Sequence, residues 1–506
     1  MPKVNSGVVT GLSPPQPEEP YHILSNKQKW NLVILVSLAS SFSPLSSNIY
    51  FPAIDTISKD LQVNASLVAL TITVYMVVQG LAPSFLGAVS DAYGRRLAFT
   101  TTLVVYTAAN LALAFTSNFP MLLALRALQA GGSAATISIG AGVIADIAWP
   151  QERGGFIGTN AGVRMTGQAI GPIIGGALNS IWGFQSIFWL LFTLSMIVLG
   201  ALLIFLPETQ RSIAGDGSIA VSGFQKPFIY FIKAPSVWTE NTQTSSASTP
   251  RAPISFKEVF SPLAYIFEKD IAALLAWGAV AYTAWSMVTS STTTMLLLGF
   301  PFLKPWQIGL CFLPNGLGCI VGSLSTGWYL DQSFNRALAR YKVEHGIPLE
   351  DDIAHRRDFP YVQARLRLIP VFSIVLMACL AFYGPSFEFN DLRQQFGPNL
   401  AAPLILQFLI SFSATAIFNI NSTVLIDCFP ERPASATALN NLCRCLLGAA
   451  GVSVIQPLIG AVKAMSAFFV VSGVVLLFTP LIWIEWKWGE KWRQQREERL
   501  AQQGKL

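Results

Sequence analysis

Gly87-Ala88-Val89-Ser90-Asp91-Ala92-Tyr93-Gly94-Arg95-Arg96 closes one long apolar run, 67–89, and opens the next, 97–116. Each run has the roughly 20 residues that a helix needs to cross about 30 Å of hydrocarbon. The glycines permit a tight turn and close helix approach. Asp91 can cap the following helix or pair with an arginine, and Arg95 and Arg96 anchor the turn at a membrane surface. Working outward, apolar runs predict twelve spanning helices. Six cover 30–52, 67–89, 97–116, 119–147, 154–181 and 184–206, and six cover 270–294, 305–330, 368–386, 400–428, 435–462 and 464–486. The expected fold class is an all-α polytopic membrane protein. With 52% hydrophobic and 12% charged residues the chain has half the charge of a soluble protein, which carries roughly 25%, and a water-soluble fold of this size is excluded.

The net charge of +6 does not point to nucleic acid, because the basic residues sit in loops between spans. One set of loops holds Lys27, Lys29, Arg95, Arg96, Arg153, Arg211, Lys226, Lys257, Arg336, Arg340, Arg356, Arg357 and Arg432, and the C-terminal segment adds five more. The opposite loops hold little beyond Lys59, Lys304, Arg393 and Lys463. Both termini are therefore expected on the cytoplasmic side. The expected organisation is a disordered cytosolic tail (1–29), a six-helix bundle (30–206), a cytosolic linker (207–269), a second bundle (270–486) and a basic cytosolic tail (487–506). The six cysteines lie within or beside apolar spans without a CxxC pair, so neither a disulfide framework nor a metal site is expected. No cofactor is expected either. There is no G-x-x-x-x-G-K-[ST], so ATP does not drive this chain, and no nucleophile–base pattern suggests an enzyme.

The halves echo each other. Gly87-x-x-x-Asp91 follows the second span and Gly327-x-x-x-Asp331 the eighth. Asp146 leads into Trp149-Pro150-Gln151-Glu152-Arg153 after the fourth span, and Asp427 into Phe429-Pro430-Glu431-Arg432 after the tenth. Corresponding motifs six spans apart imply a duplicated bundle with a pseudo-two-fold axis and a substrate site between the halves. The 87–96 turn resembles the signature loop of the major facilitator superfamily, in which it acts as a gate latch; Gly87, Asp91, Gly94, Arg95 and Arg96 are the matching residues. Arg126-Ala127-Leu128-Gln129-Ala130-Gly131-Gly132 resembles the fourth-span motif of that family's proton-coupled drug exporters. Gly162, Gly167, Gly171-Pro172 and Gly175-Gly176 resemble its fifth-span antiporter motif. The segments 43–53, 134–143, 285–293 and 440–451 resemble fungal citrate exporters and their quinidine-resistance relatives. The resemblance implies two pseudo-symmetric six-helix bundles (the major facilitator fold), a small-molecule substrate, protons as coupling ion, a monomer in the lipid bilayer, and the plasma membrane as its place.

A buried ion in a spanning helix is costly and marks function by default. Arg126, Arg164 and Arg444 are the prominent cases. Arg164 lies about eleven residues into the fifth span and Arg444 about ten into the eleventh, each roughly 15 Å deep at 1.5 Å per residue. Each has a glycine seven residues on, Gly171 and Gly451. Two arginines related by the pseudo-two-fold would form a forked site for carboxylates. No carboxylate lies at comparable depth. The alternative is that the arginines bond carbonyls or polar partners such as Gln129, Gln168, Asn419 or Asn421. Gln129, Gln168, Asn441, Trp285 and Tyr75 are further candidates for lining the cavity, with Asn48, Tyr50, Gln79, Tyr282, Asn315 and Asn440 beside them. The residues thus favour an exporter of a small organic acid, with a broad drug exporter and a non-transporting nutrient sensor as alternatives.

Overall fold

The computed structural model describes residues 22–148, 153–219, 221, 223–232, 265–346, 361–388, 400–428 and 433–502. Helices make up almost all of the regular structure. The first half contains α1 (Asn26–Asn48), α2 (Ala65–Tyr93), α3 (Arg95–Ala114), α4 (Phe119–Ile147), α5 (Arg153–Trp182) and α6 (Gln185–Phe205). The second contains α7 (Lys269–Gly299), α8 (Leu313–Glu344, preceded by a short helix Pro305–Leu310), α9 (Ile369–Tyr383) and α10 (Ala401–Cys428). The helical stretch Pro433–Phe478 breaks at Lys463, where φ is 64°, so residues 433–462 form α11 and 464–478 form α12. Pro480–Gln502 continues as α13.

Ten stretches among the described residues are long and apolar enough to cross a membrane. One of them, Ala436–Arg496, runs through the Lys463 break and holds two crossings. Helix α5 is long enough at 30 residues, but its glycines dilute its apolar character. Twelve crossings result, as the sequence pattern predicts.

Duplication is visible in the packing. In the first half α1 lies on α5 and α4, α2 on α4, and α3 on α4 and α6. In the second, α7 lies on α11 and α10, α8 on α10, and α9 on α10 and the Pro433–Phe478 stretch. Every pair recurs six helices later. The halves meet along two seams, α2 with α11 and α5 with α8, which the same operation exchanges.

Both described ends of the chain lie at one end of this bundle. Ile23 N–H donates to Asp216 O after α6 (3.0 Å), and Arg499 near the C-terminus pairs with Glu268 before α7 (2.7 Å). At the opposite end the halves are sealed together. Thr293 Oγ1 of α7 donates to Phe51 O after α1 (2.9 Å), and Phe51 stacks on Phe312, with ring centroids 6.1 Å apart.

Helix α5 shows why its glycines recur. Gly167, Gly171 and Gly175 are four apart and so share one face. That face lies on the backbone of α1 at Ser41, Leu45 and Ile49, and a Cβ on Gly175 would collide with Ile49 O. Gly176 points the other way, where a Cβ would sit 2.8 Å from Pro305 O and 2.9 Å from Gly309 Cα. Small residues let backbones touch where apolar side chains gain little over lipid. Toward the termini-bearing end, a Cβ added to Gly155, Gly158 or Gly162 would meet nothing within 4 Å. The α5–α8 seam is therefore tight at the far end and parted at the termini-bearing end.

Some expectations need correction. The predicted basic tail, 487–506, is helical as far as Gln502 and folds back on the second half. Arg493 and Arg496 are buried, and Arg496 pairs with buried Asp270 at the start of α7 (3.1 Å). Residues 207–219 at the start of the predicted linker also pack onto the first half, with Glu208 and Thr209 buried. Helix α8 runs past the predicted end at 330 to Glu344, carrying its charged last turns out of the apolar zone. Of the predicted disordered tail 1–29, residues 26–29 already form the first turn of α1, with Lys29 buried, and 1–21 lie outside the described residues, as do the Ser/Thr-rich 241–250, the motifs 149–152 and 429–432 and the side chain of Asp331.

Two outcomes follow from this packing. Gly94 joins α2 to α3 at φ +106° and ψ 151°, a region open essentially to glycine alone, and a Cβ there would strike the Glu208 carboxylate. Gly94→Ala should lower the thermal midpoint of the purified protein and its folded yield, by a cost of about 2 kcal/mol. Gly176→Leu should instead fold normally but wedge the far seam apart. Thiol reagents should then reach cysteines placed at the far end, with transport lost; unchanged accessibility would show that the seam does not close the molecule.

Candidate functional site

The 87–96 turn is held from both sides. Arg95 Nε donates to Asp146 Oδ2 (2.9 Å) at the end of α4, and its Nη1 donates to Asp91 Oδ1 (2.5 Å) and Ser90 Oγ (3.2 Å). The second half repeats this: Arg365 Nε donates to Asp427 Oδ2 at 3.0 Å, joining the chain ahead of α9 to the end of α10. The basic pair does not both face the surface as expected. Arg96 is buried and gives its fork to the carbonyls of Leu202, Leu203 and Leu206, which end α6, and to Phe224 O. A cation at a helix C-terminus satisfies carbonyls that have no intrahelical partner. Asp91 does not cap α3; that role falls to Glu208, whose carboxylate accepts the N–H groups of Arg95 (2.8 Å) and Arg96 (3.2 Å). Burial holds the Glu208 carboxyl above its usual range, and these donors offset part of the effect.

Arg126 lies wholly inside the first half. Its guanidinium sits between the rings of Tyr50 and Tyr75, 4.3 Å from each centroid, and donates to Gln129 Oε1 (2.6 Å) and Ser46 O (3.3 Å). Gln129 in turn donates to Asn110 Oδ1 (2.7 Å). Tyr75 is buried, and its hydroxyl reaches Ser43 O (3.1 Å) and Ser133 Oγ (3.0 Å). Arg126, Gln129 and Tyr75 thus form a buried polar cluster inside the first half, in which Arg126 Nε and Nη2 have no hydrogen-bond partner among the described residues, and they do not line the cavity in this conformation.

Arg164 and Arg444 differ. They occupy equivalent positions on α5 and α11, and both are partly exposed. Arg444 acts electrostatically on Arg164, like charge on like. No carboxylate is among the groups acting on either guanidinium, and the Nε of each has no hydrogen-bond partner among the described residues. The Arg444 guanidinium lies over Tyr282 (4.5 Å) and Phe418 (4.7 Å), and its Nη2 donates to Asn441 Oδ1 (2.7 Å). One turn beyond Arg164, Gln168 Nε2 reaches Cys319 Sγ on α8 (3.3 Å). Trp285 packs near Tyr282 at 5.3 Å between centroids, and its Nε1 donates to Asn315 Oδ1 (2.9 Å). The structure therefore gathers Arg164, Arg444, Gln168, Asn441 and Trp285 around the junction of the halves. Asn419, named as a structural partner, instead donates to Ser323 Oγ (3.1 Å), and Asn421 to Leu274 O (3.4 Å).

Sequence reasoning missed Phe418, Glu208 and Arg365. Phe418 is one more aromatic in an apolar run and carries no signal. Arg365-x-Arg367 ahead of the ninth span does carry one, since Arg95-Arg96 stands at the equivalent place six spans earlier.

Residues 36–452 match the Major Facilitator Superfamily. The chain is 46% identical to "Citrate exporter 1" of Aspergillus niger over 483 residues, which are 95% of this chain and 90% of that protein. It is 29% identical to "Quinidine resistance protein 1" of Saccharomyces cerevisiae, covering 90% of this chain and 82% of the relative. Among solved structures, the E. coli xylose transporter XylE in a partially occluded inward open conformation superimposes with a TM-score of 0.61 at 12% identity, over 91% of this chain and 98% of that one, which shows the shared fold. With two six-helix bundles, the signature turn and a match across most of its length, the chain belongs to the major facilitator superfamily.

Proposed function

We propose that this protein is a proton-linked carrier that exports a citrate-like organic acid, gripping it between Arg164 and Arg444. The observation that carries this reading is one guanidinium from each half at equivalent positions on α5 and α11, the charge of Arg444 acting on Arg164, with no carboxylate among the described groups that act on either. Two cations in a low-dielectric interior repel strongly, and a di- or tricarboxylate that accepts from both removes the repulsion. Arginine suits this task because its planar fork matches a carboxylate with two parallel hydrogen bonds. The 46% identity to a protein named as a citrate exporter supports the same cargo.

The mechanism follows from the seams. The sealed far end and parted termini-bearing end describe a carrier open to one side. With basic loops on the cytoplasmic side, that opening faces the cell interior, and the protein sits in the plasma membrane with both termini inside. An anion entering from the cytosol bridges Arg164 and Arg444 and draws the halves together. The same bridge allows them to rock and expose the site outward, and protons moving inward drive the cycle. A halfway state without cargo keeps the bare repulsion between the arginines, which disfavours empty turnover.

The drug-exporter reading gains support from the aromatic wall of Tyr282, Trp285 and Phe418, which would suit an amphiphile. The two readings part in binding measurements on folded protein. Arg164→Lys and Arg444→Lys should weaken citrate binding almost as much as the alanine variants, because ammonium keeps the charge and loses the fork. Each should cost about 2 kcal/mol, roughly 30-fold, with the double variant non-additive. An uncharged amphiphile should bind all variants alike. Equal loss for both ligands, or none for citrate, removes the organic-acid assignment.

The latch gives a second test. Asp91 is exposed, and its pair with Arg95 within the first half is worth at most about 1 kcal/mol to folding. Asp91→Asn should leave stability and citrate binding near wild type while slowing citrate efflux from loaded vesicles, since it biases the conformational equilibrium without touching cargo. Lost binding with intact conformational exchange would refute the latch role.

A further inference from the structure

We propose that Asn441 is a positioning residue that couples the anion-gripping Arg444 to the α2–α11 seam, an inference that rests on the reading of Arg444 as half of the clamp. Asn441 spends both ends of its amide. Its Oδ1 accepts from Arg444 Nη2 at 2.7 Å, and its Nδ2 donates across the junction of the halves to Gln79 O at 3.1 Å. The opposite amide orientation would set NH2 against a guanidinium and oxygen against a carbonyl, so the network itself fixes the assignment. A neutral side chain that accepts from a cation while donating to a carbonyl is what an amide supplies.

The bond falls where the two helices of the seam are close. A Cβ on Gly80, the residue after Gln79, would stand 2.9 Å from Cys445 Cβ on α11. Beyond Gln79 the contacts continue into the first half. Gln79 Nε2 donates to Ser43 Oγ (2.9 Å), Ser43 O accepts from Tyr75, and Tyr75 carries Arg126 on its ring. A contiguous path thus runs from the exposed arginine of one half to the sealed arginine of the other, and Asn441 is the member that crosses between them.

The acceptor on Gln79 is a backbone carbonyl and moves only with α2. When α2 leaves α11, Nδ2 loses its partner, Asn441 is free to turn, and Arg444 loses its fixed acceptor. Conversely, a carboxylate that takes over the Arg444 fork releases Asn441 and loosens the seam. The two effects are one coupling free energy and are necessarily reciprocal. At the other seam the position equivalent to Asn441 is Ala161, three residues before Arg164, which can make no such bond, and the contact there runs from Gln168 to a thiol, Cys319, a weaker acceptor. The coupling is therefore concentrated at Asn441.

The test measures distances between spin labels at Ser117→Cys and Phe302→Cys, one at the far end of each half, in the full-length protein in lipid nanodiscs. Without ligand, Asn441→Ala should shift the distribution to longer distances than in the parent. Saturating citrate should change the parent distribution and leave that of Asn441→Ala unmoved, while citrate binding weakens by no more than roughly tenfold. Asn441→Ser, which keeps one hydroxyl and can serve only one partner at a time, should show the same changes in smaller measure and stands in if the alanine variant folds poorly. A ligand-free distribution equal to the parent's, or an intact citrate response in the variants, overturns the proposal. Parent protein that binds no citrate overturns the anion reading instead, and the ligand-free distributions then decide the role of Asn441.

Discussion

Everything in this molecule depends on two helix seams where the halves approach closely, one of them, α5–α8, parted toward the termini-bearing end. Along α5–α8, Gly176 meets Gly309 backbone to backbone, and along α2–α11, Gly80 meets Leu442 and Cys445. In lipid, helices gain little by hiding apolar side chains from each other, so close backbone approach and interhelical hydrogen bonds hold them. Such contacts are short-ranged and are made or lost as a set. That gives the halves discrete arrangements in place of gradual separation, which is what a carrier with alternating access requires.

The seams also decide where charge can go. Helices α5 and α11 are the pseudo-symmetric partners that each meet the opposite half, and each carries one arginine partway along its seam. Arg126, on α4, lies instead inside one half, between Tyr50 and Tyr75. The contrast separates two uses of a buried cation. Arg126 lies against rings and an amide of its own half, with its Nε and Nη2 unpartnered among the described residues, and belongs to the interior of that half. Arg164 and Arg444 have no carboxylate among the described groups acting on them, and the action of Arg444 on Arg164 depends on the relative placement of the halves.

How much of this could be read from the sequence follows from the range of each interaction. The spans, their number and the duplication were legible because hydrocarbon thickness and helix rise impose a length on each run, and because Asp91 and Asp146 are matched by Asp331 and Asp427 at the ends of spans six later. The break between α11 and α12 at Lys463 was legible for the same reason. The end of the chain was not, since a run rich in Lys, Arg and Glu after the last span reads as a solvated tail. Arg496 is buried only because Asp270, over two hundred residues earlier, waits for it. The candidate site was legible as residue types at a depth. Which of the three arginines would be enclosed depended on Tyr50 and Tyr75 arriving from two other helices, and periodicity carries no record of that.

The glycines of α5 show how one sequence feature can serve both fold and function without separate signals for each. Gly167, Gly171 and Gly175 lie on α1 and are fixed contacts within one half, whereas Gly176, one residue further, belongs to the seam that must open. The same helix is thus bound permanently along one face and reversibly along the next. A helix that carries the proposed anion-gripping arginine needs both properties: the permanent face makes Arg164 move with its own half as a rigid unit, and the reversible face lets that movement change its distance from Arg444. Substrate affinity and domain motion are then two readings of one geometric variable, the angle at which α5 and α11 lean away from the seams.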